Sequence, residues 1–149
     1  MRVIILLAAM TLFAVPATAQ VVIAPTGTTF NHPTTEFNRT ASYREEFFQC
    51  ASVTAGVCTG RAAAPFQTGV LIPKAAITGT APSRTFLFTS IPSGNPLPSL
   101  PAGVGFVATI VAIGDPNAGA TGESARSGDS NPFFAQGTTP ASPTSVVVQ

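Results

Sequence analysis

Charge is scarce in this sequence: 7 Lys or Arg and 6 Asp or Glu stand among 149 residues. No basic stripe is present to displace counterions from phosphates, which argues against nucleic acid as a partner. No cluster of Lys and Arg is present to hold an anionic lipid surface either. Tryptophan is absent and tyrosine occurs once, so the amphipathic rings that stack on sugars or peptides are in short supply. The single histidine, His32, sits in Asn31-His32-Pro33, in what reads as a solvent-exposed loop. A hydrolytic triad needs a base held by a second group and within reach of a nucleophile, and no G-x-S-x-G elbow supports one here. Two cysteines and one histidine fall short of a zinc set. The chain is expected to be a non-enzyme that uses no cofactor.

The N-terminus carries the most information. Met1-Arg2 is a short basic start, Val3 to Val15 is almost unbroken apolar sequence, and Pro16 ends any helix. Ala17-Thr18-Ala19 then places small residues before Gln20. This is the layout of a secretory signal peptide over 1–19 with an A-x-A cleavage site. The apolar run is too short for a bilayer span of ~20 residues. The expected location is therefore secreted, periplasmic or cell surface, with no transmembrane segment after leader removal. Loss of Arg2 also balances the two signs of charge. A chain without net charge lacks the repulsion that keeps copies apart, which favours self-association or residence in a larger assembly.

In an oxidising compartment Cys50 and Cys58 are expected to pair as a disulfide. So small a ring stabilises by at most about 2–3 kcal/mol in the chain-entropy model. Asn38-Arg39-Thr40 is a glycosylation sequon, which matters only if the source glycosylates its exports.

Four segments are expected: a leader at 1–19, an N-terminal arm at 20–39, a β-sandwich domain at 40–136, and a Ser/Thr/Pro-rich tail at 137–149. Within the arm, Val21 to Ile23 is a candidate edge strand. Thr40 to Val53 reads as a strand, because three aromatics and β-branched neighbours outweigh the i, i+4 pairing of Tyr43 with Phe47. Gln67 to Ile72, Ala75 to Thr80 and Arg84 to Ile91 follow as shorter strands. Asn95 to Gly103 holds Pro96, Pro98 and Pro101 and reads as an extended connector. Gly105 to Gly114 is apolar on both faces, as a central strand requires. From Asp115 to Asn131 the sequence turns to Gly, Ala, Ser and Asn and reads as a loop. Short strands separated by Pro and Gly turns give the expected fold class, an all-β antiparallel sandwich.

Thr85-Phe86-Leu87-Phe88-Thr89-Ser90-Ile91-Pro92-Ser93-Gly94 is followed by Phe106-Val107-Ala108-Thr109-Ile110-Val111-Ala112 and then by Gly122-Glu123-Ser124 through Ser130-Asn131-Pro132. This succession resembles the second half of a fibronectin type III or related immunoglobulin-like domain. The family pattern departs at the missing early Trp, at the long connector, and at two cysteines too close for an inter-sheet pair. The resemblance implies an immunoglobulin-like architecture and no chemistry.

Other clusters have plain readings. Glu45 and Glu46 are neighbours on a strand and point to opposite faces, so they cannot act as a pair; Glu123 and Asp129 read as solvated loop residues. Asp115, Asn117, Glu123, Asp129 and Asn131 offer oxygen ligands in one region, but their spacing matches no EF-hand loop. Most aromatics are expected in the core. Of Phe133 and Phe134 one is expected to protrude, and with Val146, Val147 and Val148 they are the candidate contact residues. The leading expectation is an exported structural or accessory subunit that acts through contacts with other protein subunits, or with itself, in a surface or envelope assembly. The alternative is a monomeric secreted module for a carbohydrate or small ligand.

Overall fold

The computed structural model describes residues 22–23, 25–92 and 96–135. The leader at 1–19, the tail from 137 and Val146, Val147 and Val148 lie outside the described residues. The strands are β1 Val22–Ile23, β2 Gly27–Asn31, β3 Thr40–Thr54, β4 Val57–Arg61, β5 Val70–Pro73, β6 Ser83–Leu87, β7 Gly105–Gly114 and β8 Phe133–Phe134. A short helix, α1 Thr34–Asn38, links β2 to β3. The fold is all-β and sandwich-like.

β3 and β7 form the spine. They pair antiparallel from Thr40↔Gly114 to Gln49↔Phe106, with an irregularity between Thr40 and Ser42. Alternation then sorts their side chains. Tyr43, Glu45 and Phe47 share one face with Phe106, Ala108 and Ile110, whereas Arg44, Glu46 and Phe48 share the other with Val107, Thr109 and Val111. The first face carries the main core, where Phe86, Phe88, Ile72 and Phe133 join the β3 and β7 residues. It is covered by a second, two-stranded sheet, β2 with β6, in register from Gly27↔Leu87 to Asn31↔Ser83. The expected central strand is β7, and apolar residues on both of its faces are buried.

The other elements complete the large sheet. β5 pairs with β3 over Ser42 to Glu45, β8 pairs with the start of β7, and β1 runs parallel to β8. The candidate edge strand Val21 to Ile23 is thus already paired within its own chain, through Val22 and Ile23. Gly69, just before β5, is required by close approach: a Cβ there would stand 2.4 Å from the Arg44 Cγ.

The end of β3 bends. Its ladder with β4 sets Cys50 opposite Arg61 and Cys58 opposite Val53. In a straight ladder that offset would separate the cysteines by ~10 Å along the strand. They form a disulfide with Cα atoms 5.5 Å apart, so the chain curls between 50 and 53. Val53 and Cys58 thereby fold onto Phe48, Cys50 and Val107, a small second core.

Three expectations change. The stretch read as an arm, 20–39, contains β2 and α1, because Phe30 and Phe37 pack against the core. Ala75 to Thr80 is a 3-10 turn at Lys74–Ala76 and a single bridge, Thr78↔Thr85, on the edge of β6 away from β2. Arg84 to Ile91 ends as a strand at Leu87 and turns over Phe88–Ser90, which buries Phe86 and Phe88 together, 6.0 Å apart.

Candidate functional site

The stretch from Glu123 to Asn131, read as a small-residue loop, lines the edge of β7 in a regular way. Ser124, Ser127 and Ser130 recur every third residue and meet Ala112, Ile110 and Ala108, which recur every second residue. Each serine N–H donates to the β7 carbonyl at 2.9 Å. Each β7 N–H donates back to the serine hydroxyl, also at 2.9 Å, instead of to a carbonyl. Each hydroxyl then donates to the carbonyl of the next residue, Ala125, Gly128 or Asn131. The hydroxyl stands in for a backbone acceptor, so a segment that is not a strand satisfies the edge of one.

The same period of three sends Glu123, Arg126 and Asp129 across the second face of the sheet. Glu123 takes a two-pronged contact from Arg44, and Arg44 Nε also donates to Glu46 at 3.0 Å. Arg126 Nε donates to the other Glu46 oxygen at 2.5 Å, and Arg61 Nε lies 2.9 Å from Asp129. Burial works to raise the Glu46 pKa, but hydrogen bonds from Arg126 and Arg44 outweigh it and hold the carboxyl below its ordinary value. Arg61 and Arg126 also stack over Phe48, at 3.6 and 5.4 Å from the ring centre. Guanidinium planes thus cover the second core where a second layer would otherwise lie.

On the opposite face, a groove runs between the serine segment and β2. Its floor is Ala108 and Ile110 of β7, and its walls are Thr28 to Asn31 and Ser127 to Ser130. β2 turns an open edge towards this groove. The N–H and C=O of Thr85 are both bonded to Thr78, on the far side of β6, so Thr29, in register with Thr85, does not bond to β6. Its amide and carbonyl face the groove, unpartnered among the described residues.

At one end the groove opens into a cavity of about 460 Å³ whose walls include Glu45, Phe47, Phe88 and Phe133. Glu45 is fully buried. Its Oε1 accepts from the Thr28 hydroxyl at 2.6 Å, while Oε2 has no partner among the described residues. Burial pushes its pKa up to about 7, against a smaller opposing effect of the Thr28 bond. At the other end of the groove, His32 Nδ1 lies 2.8 Å from the Tyr43 hydroxyl. Burial lowers the His32 pKa and raises that of Tyr43.

The residues singled out from sequence fall as follows. Cys50 and Cys58 are bonded, as expected. Asn38 is exposed at the end of α1. Glu45 and Glu46 do lie on opposite faces. Phe133 is buried against Phe47 and Phe106 because it faces the core from β8, and Phe134 is half-buried. His32 is not in a free loop, since Tyr43 and Phe30 hold it at the end of β2. The oxygen-rich residues do not converge: Asp115 caps a turn through Asn117, while Glu123 and Asp129 pair with arginines. Sequence reasoning missed the serine ladder and the Glu45 cavity; the i, i+3, i+6 spacing of Ser124, Ser127 and Ser130 was the available signal for the ladder. Among the described residues, no helix is long and apolar enough to cross a membrane. No protein-family model, no curated protein and no solved structure matches the chain.

Proposed function

We propose that this chain is an exported, non-catalytic subunit that works by contact with other protein chains in a surface or envelope assembly, and that it receives an extended strand of a neighbour along β2. The observation that carries this reading is the open edge of β2 above a ready groove. Sheet edges left unpaired are templates for another chain, and soluble proteins usually blunt them with charge, proline or a bulge. β2 reads Gly-Thr-Thr-Phe-Asn and has none of these within it. Strand addition takes its affinity from main-chain hydrogen bonds and its selectivity from pockets for alternate side chains, which the groove supplies. The leader-like N-terminus and the disulfide support export.

The test is light scattering on leader-processed protein extracted gently, beside Thr29→Pro. Proline at 29 removes an outward amide and no ladder bond, as edge positions permit, together with the exposed side-chain hydrogen bond between Thr29 and Thr85. Wild type is expected as a particle several times the monomer mass, or with another chain attached, and Thr29→Pro as a folded monomer whose melting temperature falls only by what the exposed Thr29–Thr85 bond supplies. A monomeric wild type would overturn the reading. The cavity beside Glu45 favours a second reading, a module for a small ligand.

A further inference from the structure

We propose that the cavity at the β2 end of the groove is a binding site for a primary ammonium group carried on an apolar stem, with Glu45 as its counter-ion. The inference rests on the small-ligand reading and is independent of strand addition.

Its first support is an unfinished hydrogen-bond set. A fully buried carboxyl holds one oxygen to Thr28 and leaves the other without a partner. Buried polar atoms are normally satisfied, and those that are not tend to mark places where something else binds. The rest of the cavity decides which group completes the set. Phe47, Phe88 and Phe133 provide three ring surfaces near the carboxyl, and the polar side chains beside them, Thr28, Thr29, Ser130 and Asn131, are neutral. An ammonium gains from both a carboxylate and ring faces, whereas an anion would meet repulsion from the one and the negative faces of the others. At about 460 Å³ the cavity has the size of an ordinary small-molecule site, so it can take a stem of several carbons with the headgroup.

Among the described residues no cation fills this role. Thr28 from β2, Phe88 after β6, Ala108 from β7 and Phe133 from β8 line the cavity with Glu45, Val70 of β5 stands opposite it in the ladder, and none of these is charged. On its own strand the titratable neighbour is Tyr43, which is bonded to His32. Arg84 of β6 stacks over Phe37, and its charge acts on Tyr43 and His32. Arg44 and Arg126 are on the opposite face of the sheet, bound to Glu46 and Glu123. Glu45 therefore titrates alone, near pH 7 in the empty site. An ammonium prefers the ionised carboxylate, so binding at pH 6 releases a proton from Glu45. Affinity at pH 6 should be about tenfold weaker than at pH 8, following the ionised fraction of a group with a pKa of about 7.

The experiment is calorimetric titration of the full chain with n-hexylammonium, with 1-hexanol as the uncharged control, at pH 6 and pH 8. Wild type should bind the amine at least tenfold more tightly than the alcohol at pH 8 and show the tenfold loss at pH 6. Glu45→Gln should bind both probes alike. Equal binding of amine and alcohol by wild type, or amine binding that survives Glu45→Gln, would overturn the proposal. A tripeptide with a central lysine separates the two sources of an ammonium. Tighter binding of the tripeptide than of hexylammonium assigns the site to the side chain of an added strand, and equal or weaker binding assigns it to a free amine. Light scattering reads strand addition and the contrast of amine with alcohol reads this site, so the two can fail separately.

Discussion

Glu45→Gln should make the empty protein more stable at neutral pH, and the gain should itself depend on pH. The Glu45 carboxyl has an ordinary pKa of 4.5 and a folded-state value of about 7. Between these limits the unfolded chain has released the proton while the folded chain still holds it. Stability from this group is therefore fully present below pH 4.5, is lost as pH rises towards 7, and is level above it. At about 1.4 kcal/mol per pH unit, the whole loss is about 3 kcal/mol. Glutamine has nearly the same shape, keeps an acceptor for the Thr28 hydroxyl and never ionises. The stability difference between Glu45→Gln and wild type should rise from near zero at pH 4.5 to about 3 kcal/mol at pH 8. In urea, where slopes are about 1–3 kcal/mol per molar, this moves the midpoint by about 1–3 M. Subtracting the two proteins matters, because other groups titrate in the same range. His32, whose pKa burial lowers, costs stability as pH falls below its ordinary 6.5. Glu46 and Glu123, both lowered, lose their contributions as pH falls below 4.5. All three are common to both proteins and cancel. A difference that stays within about 0.5 kcal/mol across the range would show that Glu45 is not held out of water as its burial implies.

Two further outcomes follow from the geometry. Replacing Cys50 and Cys58 by serine should cost about 2–3 kcal/mol, read as a lower melting temperature matched by wild type under reductant, with no change in the Glu45 titration. Ser127→Ala strips the acceptor from the Ile110 amide and should cost about 1–3 kcal/mol, with faster hydrogen exchange at Ile110 itself; Ser127→Thr should restore most of both.

The spine was legible because its signals are local. Gly105 to Gly114 is apolar on both faces and becomes the buried strand β7, and the aromatics of Thr40 to Val53 alternate as β3 requires. Signals failed where a partner decides the conformation. Gly27 to Asn31 has too little apolar content to announce a strand, and it becomes β2 because β6 pairs with it and Phe30 is covered by Tyr43. Glu45 was read only as an acid that faces away from Glu46. Only the alternation of β3 told that it shares a face with Tyr43 and Phe47, and nothing local told that β2 would close over it. The serines between 124 and 130 have a regular spacing, but that spacing matches neither the period of a helix nor that of a strand, and small polar residues in such a run read as loop.

The hydroxyl ladder on β7 also sets which side of the molecule is adhesive. A strand's edge invites partners because its amides and carbonyls recur at a fixed interval. Along β7 that interval is already taken by Ser124, Ser127 and Ser130, and the segment that takes it advances three residues for every two, so the rhythm is not passed outward. A neighbour's strand finds no matching beat there, whatever its sequence. Losing those hydroxyls would cost more than three hydrogen bonds, because it would turn a blunt side of the molecule into a sticky one.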